Sequence, residues 1–237
     1  MPEYRYGAVF LCAAAALVFL VSAPATDWAH AVALALEGLA LVVAVVTAGG
    51  PRPVRRAWSA AIAVGGAALV VGVAAGLVSA TAATELSAAA GIGASFALVG
   101  GLIRLVREHG VTLQAVAGAL AIYLQLGLIF AWVIGFVARV GSQPYFTHGG
   151  DGTQADRVYF SFTVLTTTGF GDFTAAHSVG RGLAVVEMLS GQLYLVTVIG
   201  VLVGGLVGRR RSSSPGSDEA ARVARAHAGA GPSDERS

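Results

Sequence analysis

The chain has 237 residues, of which 56% are hydrophobic and only 12% are charged. Soluble domains carry about a quarter charged residues, so this composition excludes an ordinary soluble domain and indicates an integral membrane protein. The net charge is +2, and all fifteen basic residues are arginines, so the chain contains no lysine. No GxSxG, HExxH, phosphate-loop or CxxC motif occurs, and the five histidines lack ligand spacing. We therefore expect no enzyme, no cofactor and no nucleic-acid partner.

Six stretches approach the length of about 20 apolar residues that a membrane-spanning helix needs. They are Gly7–Val21, Ala29–Ala48, Trp58–Ser79, Ser87–Val106, Leu113–Val140 and Leu183–Val207. The first stretch also resembles a signal-peptide core. Its basic region is weak because Glu3 opposes Arg5, and we favour a retained helix. The sequence thus predicts an all-α membrane protein with six transmembrane helices.

The arginines predict the orientation, because cytoplasmic loops carry an excess of basic residues. With the N-terminus inside, nine arginines near the membrane face the cytoplasm and three face the opposite side. The nine are Arg5, Arg52, Arg55, Arg56, Arg104, Arg107, Arg209, Arg210 and Arg211. We expect an inner (plasma) membrane protein with both termini in the cytoplasm. The tail 209–237 is predicted to be disordered, with its three arginines near anionic lipid.

The segment between the fifth and sixth predicted helices carries the functional signal. Ala155–Thr166 is apolar but, with 12 residues, is too short to span a bilayer, which predicts a re-entrant pore helix. The polar stretch TTTGFGD follows at 166–172. Non-helical backbone at membrane depth must be buried in protein or line water. Its carbonyl oxygens can then replace the hydration shell of a cation, and Gly169 and Gly171 permit the positive φ that this requires.

The stretch VYFSFTVLTTTGFGDF resembles the pore-helix and selectivity-filter signature of the tetrameric potassium channel superfamily. The resemblance implies a filter formed by Thr167, Thr168, Gly169, Phe170 and Gly171. It implies K⁺ at the backbone carbonyls of Thr167, Thr168, Gly169 and Phe170 and at the Thr167 hydroxyl. Filter support would come from Tyr159, Phe160, Thr163, Thr166 and Asp172, and Gly191 stands at the usual gating-hinge position of the inner helix. Because the chain holds one filter copy, we expect a homotetramer.

Three positions depart from the family pattern. Thr168 replaces the commoner valine and adds a hydroxyl, while Phe170 replaces tyrosine and removes one. Thr163 stands where some relatives carry a glutamate, so no carboxyl pair with Asp172 forms there. We expect selectivity for K⁺ over Na⁺ to be retained.

Acidic residues inside predicted spans are costly and usually functional. Glu187 is therefore predicted to brace the filter through the pore helix, near Thr163 or Thr166. The alternative is an acid that reaches water or Arg181. Glu37 lies in the second predicted span, and the sequence names no partner for it.

Steep voltage gating needs several charges that move through the membrane field. The fourth predicted helix holds only Arg104 and Arg107, both at its cytoplasmic end. We therefore divide the chain into a degenerate voltage-sensor-like domain at 1–110, a pore domain at 111–208 and the tail. The sequence predicts a K⁺-selective channel without steep voltage gating. The alternatives are a non-selective cation channel and a membrane sensor with a vestigial pore. The gating stimulus stays open.

Overall fold

The computed structural model describes residues 6–22, 26–48, 52–77 and 80–212, which fold into helices joined by short loops. The helices are α1 (Tyr6–Ser22), α2 (Asp27–Ala48), α3 (Arg52–Ala74), α4 (Ala80–His109), α5 (Leu113–Val140), α6 (Gln154–Leu165), α7 (Ser178–Leu193), a π-helical segment (Tyr194–Ile199) and α8 (Gly200–Ser212). The all-helical class is thereby confirmed. The predictions for the N-terminal five residues and for a disordered tail fall outside the described residues, apart from the start of the tail, which belongs to α8.

Two helices in the described ranges are long and apolar enough to cross a membrane. They are α5 and the continuous helix Ser178–Gly208, which includes α7 and the π-helical segment. Shorter apolar helices or helical stretches occur at Tyr6–Ser22, Ala35–Thr47 and Ser59–Val73. The count of six spans stays a prediction.

Three predicted spans differ clearly from the helices at their ends. The fourth helix begins at Ala80 rather than at Ser87. The third helix ends at Ala74 rather than Ser79, because Gly76 adopts φ 68° and Leu77 donates to the carbonyl of Gly72 over 2.8 Å. This is the left-handed glycine termination of a helix. The last helix begins at Ser178, before the predicted start at Leu183, because hydropathy marks only the apolar part of a helix.

A shared core joins α1, α2 and α4 to α5. Its buried members are Tyr6, Val9, Ala44, Leu98, Leu102, Leu105, Ala115, Ala119, Ala121 and Leu202. Tyr6 is fully buried, and its ring lies so close to Gly118 that an added Cβ there would stand 2.9 Å from Tyr6 Cδ1. The core therefore runs across residue 110, where the sequence placed a domain boundary.

A second core holds α6 between α5 and α7. Its buried members are Ile134, Ala138, Tyr145, Phe146, Phe160, Val164 and Ala175. Phe146 also pairs with Ala175 in an isolated antiparallel bridge. These contacts hold α6 in place between α5 and α7. The C-terminal end of α6 leads directly into TTTGFGD.

Candidate functional site

A capping box fixes the start of α6. The Asp156 amide donates to Thr153 Oγ1 over 3.2 Å, and the Thr153 amide donates to Asp156 Oδ2 over 2.7 Å. The two bonds satisfy amide groups that the first helical turn leaves without partners. The helix has 12 residues and ends at Leu165. The predicted range, Ala155–Thr166, differs from it by one residue at each end.

In the strand that follows α6, several amide groups make hydrogen bonds to α6, whereas the carbonyl groups do not accept any from it. The amide of Thr167 donates to the Val164 carbonyl over 2.9 Å, and the amides of Thr168 and Gly169 donate to the Thr163 carbonyl over 2.9 and 3.1 Å. In the described part of the chain, the carbonyl oxygens of Thr167 to Phe170 accept no hydrogen bond. These carbonyl oxygens are therefore available to a ligand that binds oxygen, such as a cation.

Positive φ angles recur at alternate residues of this strand. Thr167 has φ 57°, Gly169 has φ 53° and Gly171 has φ 85°. Glycine adopts these angles without a Cβ clash, and both glycines were singled out by the sequence for this purpose. Thr167 was not. It is the one non-glycine residue with positive φ among the described residues, and for a β-branched residue that conformation is strained.

The predicted aromatic support divides between two places. The Tyr159 ring stacks on the Phe170 ring, with centroids 6.4 Å apart and planes inclined by 7°. Phe160 faces residues 141–153 instead, the loop between α5 and α6 that we call the outer loop. There its ring meets those of Phe146 and Tyr145 edge-on, with centroids 5.3 and 6.3 Å away. Within the chain, therefore, Tyr159 contacts the strand after α6 and Phe160 packs into the second core.

The unusual Thr168 has a partner for the hydroxyl that valine lacks. Thr166 Oγ1 donates to the Phe162 carbonyl over 2.6 Å and lies 2.9 Å from Thr168 Oγ1. Because the hydrogen of Thr166 is already used, Thr168 donates in the second bond. Thr163 donates its own hydroxyl to the Phe160 carbonyl over 2.8 Å. These hydroxyls brace the turn between α6 and the strand.

Glu187 does contact the pore helix, but through Ser161 rather than through Thr163 or Thr166. Its side chain is fully buried, and Oε1 is hydrogen-bonded to Ser161 Oγ. The predicted partners are occupied by carbonyls of α6 itself. The alternative contact with Arg181 is absent, because that guanidinium donates to the carbonyls of Ala175 and Ala176 over 3.2 and 3.4 Å.

A count of hydrogens assigns the protonation state of Glu187. Ser161 Oγ lies 2.7 Å from the Gly127 carbonyl as well as beside Glu187 Oε1, and a hydroxyl has one hydrogen to donate. A carbonyl only accepts, so the two hydrogen bonds can form together only if Ser161 donates to Gly127 and a protonated Glu187 donates to Ser161. Glu187 Oε2 has no partner among the described residues, which a neutral carboxyl tolerates better than a charged one. We therefore expect Glu187 to be neutral and to donate to Ser161.

Glu187→Gln is expected to retain ion flux and stability close to wild type, because the amide can also donate to Ser161. Ser161→Ala is expected to lower the free energy of unfolding by about 1–3 kcal/mol, because it leaves a buried carboxyl without an acceptor. Thermal unfolding and liposome flux of both variants check this. A flux lost in Glu187→Gln but kept in Glu187→Asp would contradict the neutral carboxyl.

Gly191 packs against the end of the pore helix. A Cβ at this position would overlap the Leu165 carbonyl oxygen and stand 3.0 Å from Leu165 Cδ1. The same carbonyl accepts a hydrogen bond from the Tyr123 hydroxyl over 3.3 Å. The glycine is therefore needed for close approach, and its role as a gating hinge stays a prediction. The π-helical segment begins three residues later, at Tyr194, and such segments are frequent at functional sites.

Sequence reasoning missed two polar residues of the site, Ser161 and Gln192. Gln192 Nε2 donates to Thr167 Oγ1 over 3.0 Å. Both were detectable as polar residues in otherwise apolar helical stretches, at positions to which the sequence assigned no role. Neither belongs to the filter heptapeptide.

The outer loop ties down the far end of the strand. His148 Nε2 lies 3.1 Å from the carbonyl oxygen of Asp172, and the hydroxyls of Thr147 and Thr174 lie 2.7 Å apart. Tyr145 belongs to the same loop and is buried, and burial raises the pKa of its hydroxyl above the ordinary value. The strand is thus held at both ends while its middle remains exposed.

The site thus consists of a long apolar helix, a short helix that leads into an extended segment, and a second long apolar helix. Residues 120–206 match a family model described as an ion channel. This part of the chain is therefore similar to ion channel domains, and the match supports the resemblance to the potassium channel superfamily. No curated protein and no solved structure matches the chain significantly.

Proposed function

We propose that the chain forms a homotetrameric channel that conducts K⁺ passively through a filter at Thr167 to Gly171. The observation that supports it most is the division of the strand, in which amides bind the pore helix and four successive carbonyls accept nothing from the described residues. Rings of such carbonyls replace the hydration shell of K⁺ in selective filters. Asp172 lies just outside the filter and adds a negative charge at its mouth.

The α6 helix contributes a further electrostatic argument for a cation. The C-terminal end of a helix carries a partial negative charge of about half an electron. In α6 this end lies at Leu165, directly before the filter strand. Four copies aimed at one axis would stabilise a cation inside the filter, and no change of covalent bonds is involved. We therefore propose transport and not enzymatic catalysis.

Assembly as a tetramer follows from the single filter copy, because a ring of carbonyls needs several strands around one axis. The surface of α7 supports this, since large apolar side chains on it are at least half exposed in the single chain. They are Val179, Val185, Val186, Leu189 and Leu193. Neighbouring copies and membrane lipid would cover them in an inner (plasma) membrane, with both termini in the cytoplasm.

Weak voltage dependence is also part of the proposal. Each elementary charge that crosses the membrane field contributes about 2.3 kcal/mol per 100 mV, and steep gating uses 3–4 such charges per subunit. In α4 the arginines are Arg104 and Arg107, both within the last six residues of a helix that ends at His109. They mark a membrane boundary rather than a ladder through the membrane.

Recording from the purified full-length chain in planar bilayers tests this function. With K⁺ on one side and Na⁺ on the other, we expect currents that reverse close to the K⁺ equilibrium potential and depend little on voltage. Equal permeability to the two ions would favour a non-selective cation channel. No current under varied voltage, pH and calcium would favour a sensor with a vestigial pore.

A further inference from the structure

The inner helix reaches the filter strand through a side chain that the filter motif does not include. Gln192 in α7 donates from Nε2 to Oγ1 of Thr167 over 3.0 Å, although the two residues are 25 positions apart. Among the described residues, no other hydrogen bond joins α7 to positions 167–171. The contact therefore links the inner helix directly to the first residue of the filter.

Thr167 is the filter residue that most needs such a contact. Its backbone is strained at φ 57°, and strained residues persist where the surrounding structure holds them in place. Its amide is held by the Val164 carbonyl over 2.9 Å, but this bond does not orient the side chain. The bond from Gln192 does, because it fixes the direction of one lone pair of the hydroxyl oxygen.

The Thr167 hydroxyl can accept the hydrogen bond from Gln192 and still bind a cation. A threonine hydroxyl has two acceptor lone pairs, and the Gln192 amide uses one of them. The second can bind a cation at the inner end of the filter. The amide carries no net charge, so it holds the oxygen without the repulsion that a lysine or arginine at position 192 would impose on that cation.

The backbone of Gln192 is itself fixed relative to the filter. The preceding residue, Gly191, lies against the carbonyl of Leu165, and that carbonyl also accepts the hydroxyl of Tyr123. The end of α6, the start of the filter and the amide of Gln192 therefore form one rigid contact. Such fixed contacts position binding groups better than mobile side chains do.

We propose that Gln192 is a positioning residue for the innermost cation site, where it orients the Thr167 hydroxyl and thereby sets the affinity of that site. The inference rests on the proposed function, since it requires a cation at Thr167. It goes further in naming a residue outside the filter that tunes one site and leaves the carbonyl sites above it unchanged.

Block by Ba²⁺ from the cytoplasmic side of planar bilayers tests the proposal with the full-length chain. Ba²⁺ is close to K⁺ in size and has twice the charge, so oxygen ligands hold it longer. Gln192→Met keeps the length of the side chain and removes the donor. We expect it to raise the half-blocking Ba²⁺ concentration about tenfold, as the loss of one hydrogen bond to a ligand group implies, with K⁺ over Na⁺ selectivity retained.

Two further variants separate positioning from packing. Ser190→Ala is the matched control, because Ser190 Oγ donates only to the Val186 carbonyl of its own helix, over 2.7 Å, and its block should equal wild type. In Thr167→Val, which lacks the hydroxyl, adding Gln192→Met should change the block no further. If Gln192→Met does not assemble, Gln192→Leu replaces it in the same comparison.

A half-blocking concentration that is unchanged in Gln192→Met, or that rises equally with and without the Thr167 hydroxyl, would overturn the proposal. Such a result leaves the proposed channel function intact, because wild type still conducts. A wild-type protein that carries no K⁺ current would overturn the channel function and this proposal with it.

Discussion

We expect K⁺ flux to fall to the background of empty liposomes when Gly169 is replaced by alanine. The residue adopts φ 53°, where an L-amino acid costs roughly 1–2 kcal/mol, and a tetramer would bear this cost in four strands at once. Relaxation to negative φ would turn a carbonyl away from its neighbours in the strand. Fluorescent flux measurements on reconstituted Gly169→Ala check this, with size-exclusion chromatography to show that the protein still assembles.

Gly149 provides a matched control for this substitution. It lies in the outer loop with φ 90°, and like Gly169 it has no atom within 4 Å of an added Cβ. Gly149→Ala therefore imposes comparable backbone strain away from the filter, and its flux should stay near wild type. Full flux through Gly169→Ala would show that the strand is not the conduction path.

Gly191→Ala should also abolish flux, for a steric reason rather than a conformational one. The new methyl group would overlap the Leu165 carbonyl oxygen, so α7 and the end of α6 must separate. Overpacking of this kind costs about 1–3 kcal/mol, and the displacement would reach Thr167 directly. Flux and thermal unfolding of the reconstituted variant measure the two effects.

Gly200→Ala is the control for Gly191→Ala in the same continuous helix. An added Cβ there stands 4.0 Å from the Leu195 carbonyl oxygen, which is ordinary van der Waals contact. Its flux and unfolding temperature should match wild type. If both variants conduct normally, the close contact between Gly191 and Leu165 does not govern the filter.

The sequence alone predicted the short helix and the strand that follows it, because both depend on local patterns. A 12-residue apolar run cannot span a membrane, and glycines at 169 and 171 demand special backbone angles. Family resemblance then supplied residue roles that local chemistry could not. The positive φ of Thr167 followed from neither source, because β-branched residues rarely adopt this conformation.

Contacts between distant segments were beyond the sequence argument. The partner of Glu187 was misassigned to Thr163 or Thr166, because hydropathy gives depth in the membrane but not the facing direction of each side chain on α6. Gln192 was overlooked for the same reason, since its partner lies 25 residues earlier. The early end of α3 reflects Gly76, whose left-handed backbone composition does not reveal.

The π-helical segment at Tyr194–Ile199 changes the rotational phase of the inner helix. Successive residues of an α-helix advance by about 100°, and a π-helical turn accommodates an additional residue. Side chains of α8 therefore cannot be assigned to faces by continuing the spacing of α7. If the π turn moved along this helix, α8 would rotate about its own long axis without bending. The residues that α8 presents to its surroundings would then change while the contact of Gly191 with Leu165 stays the same.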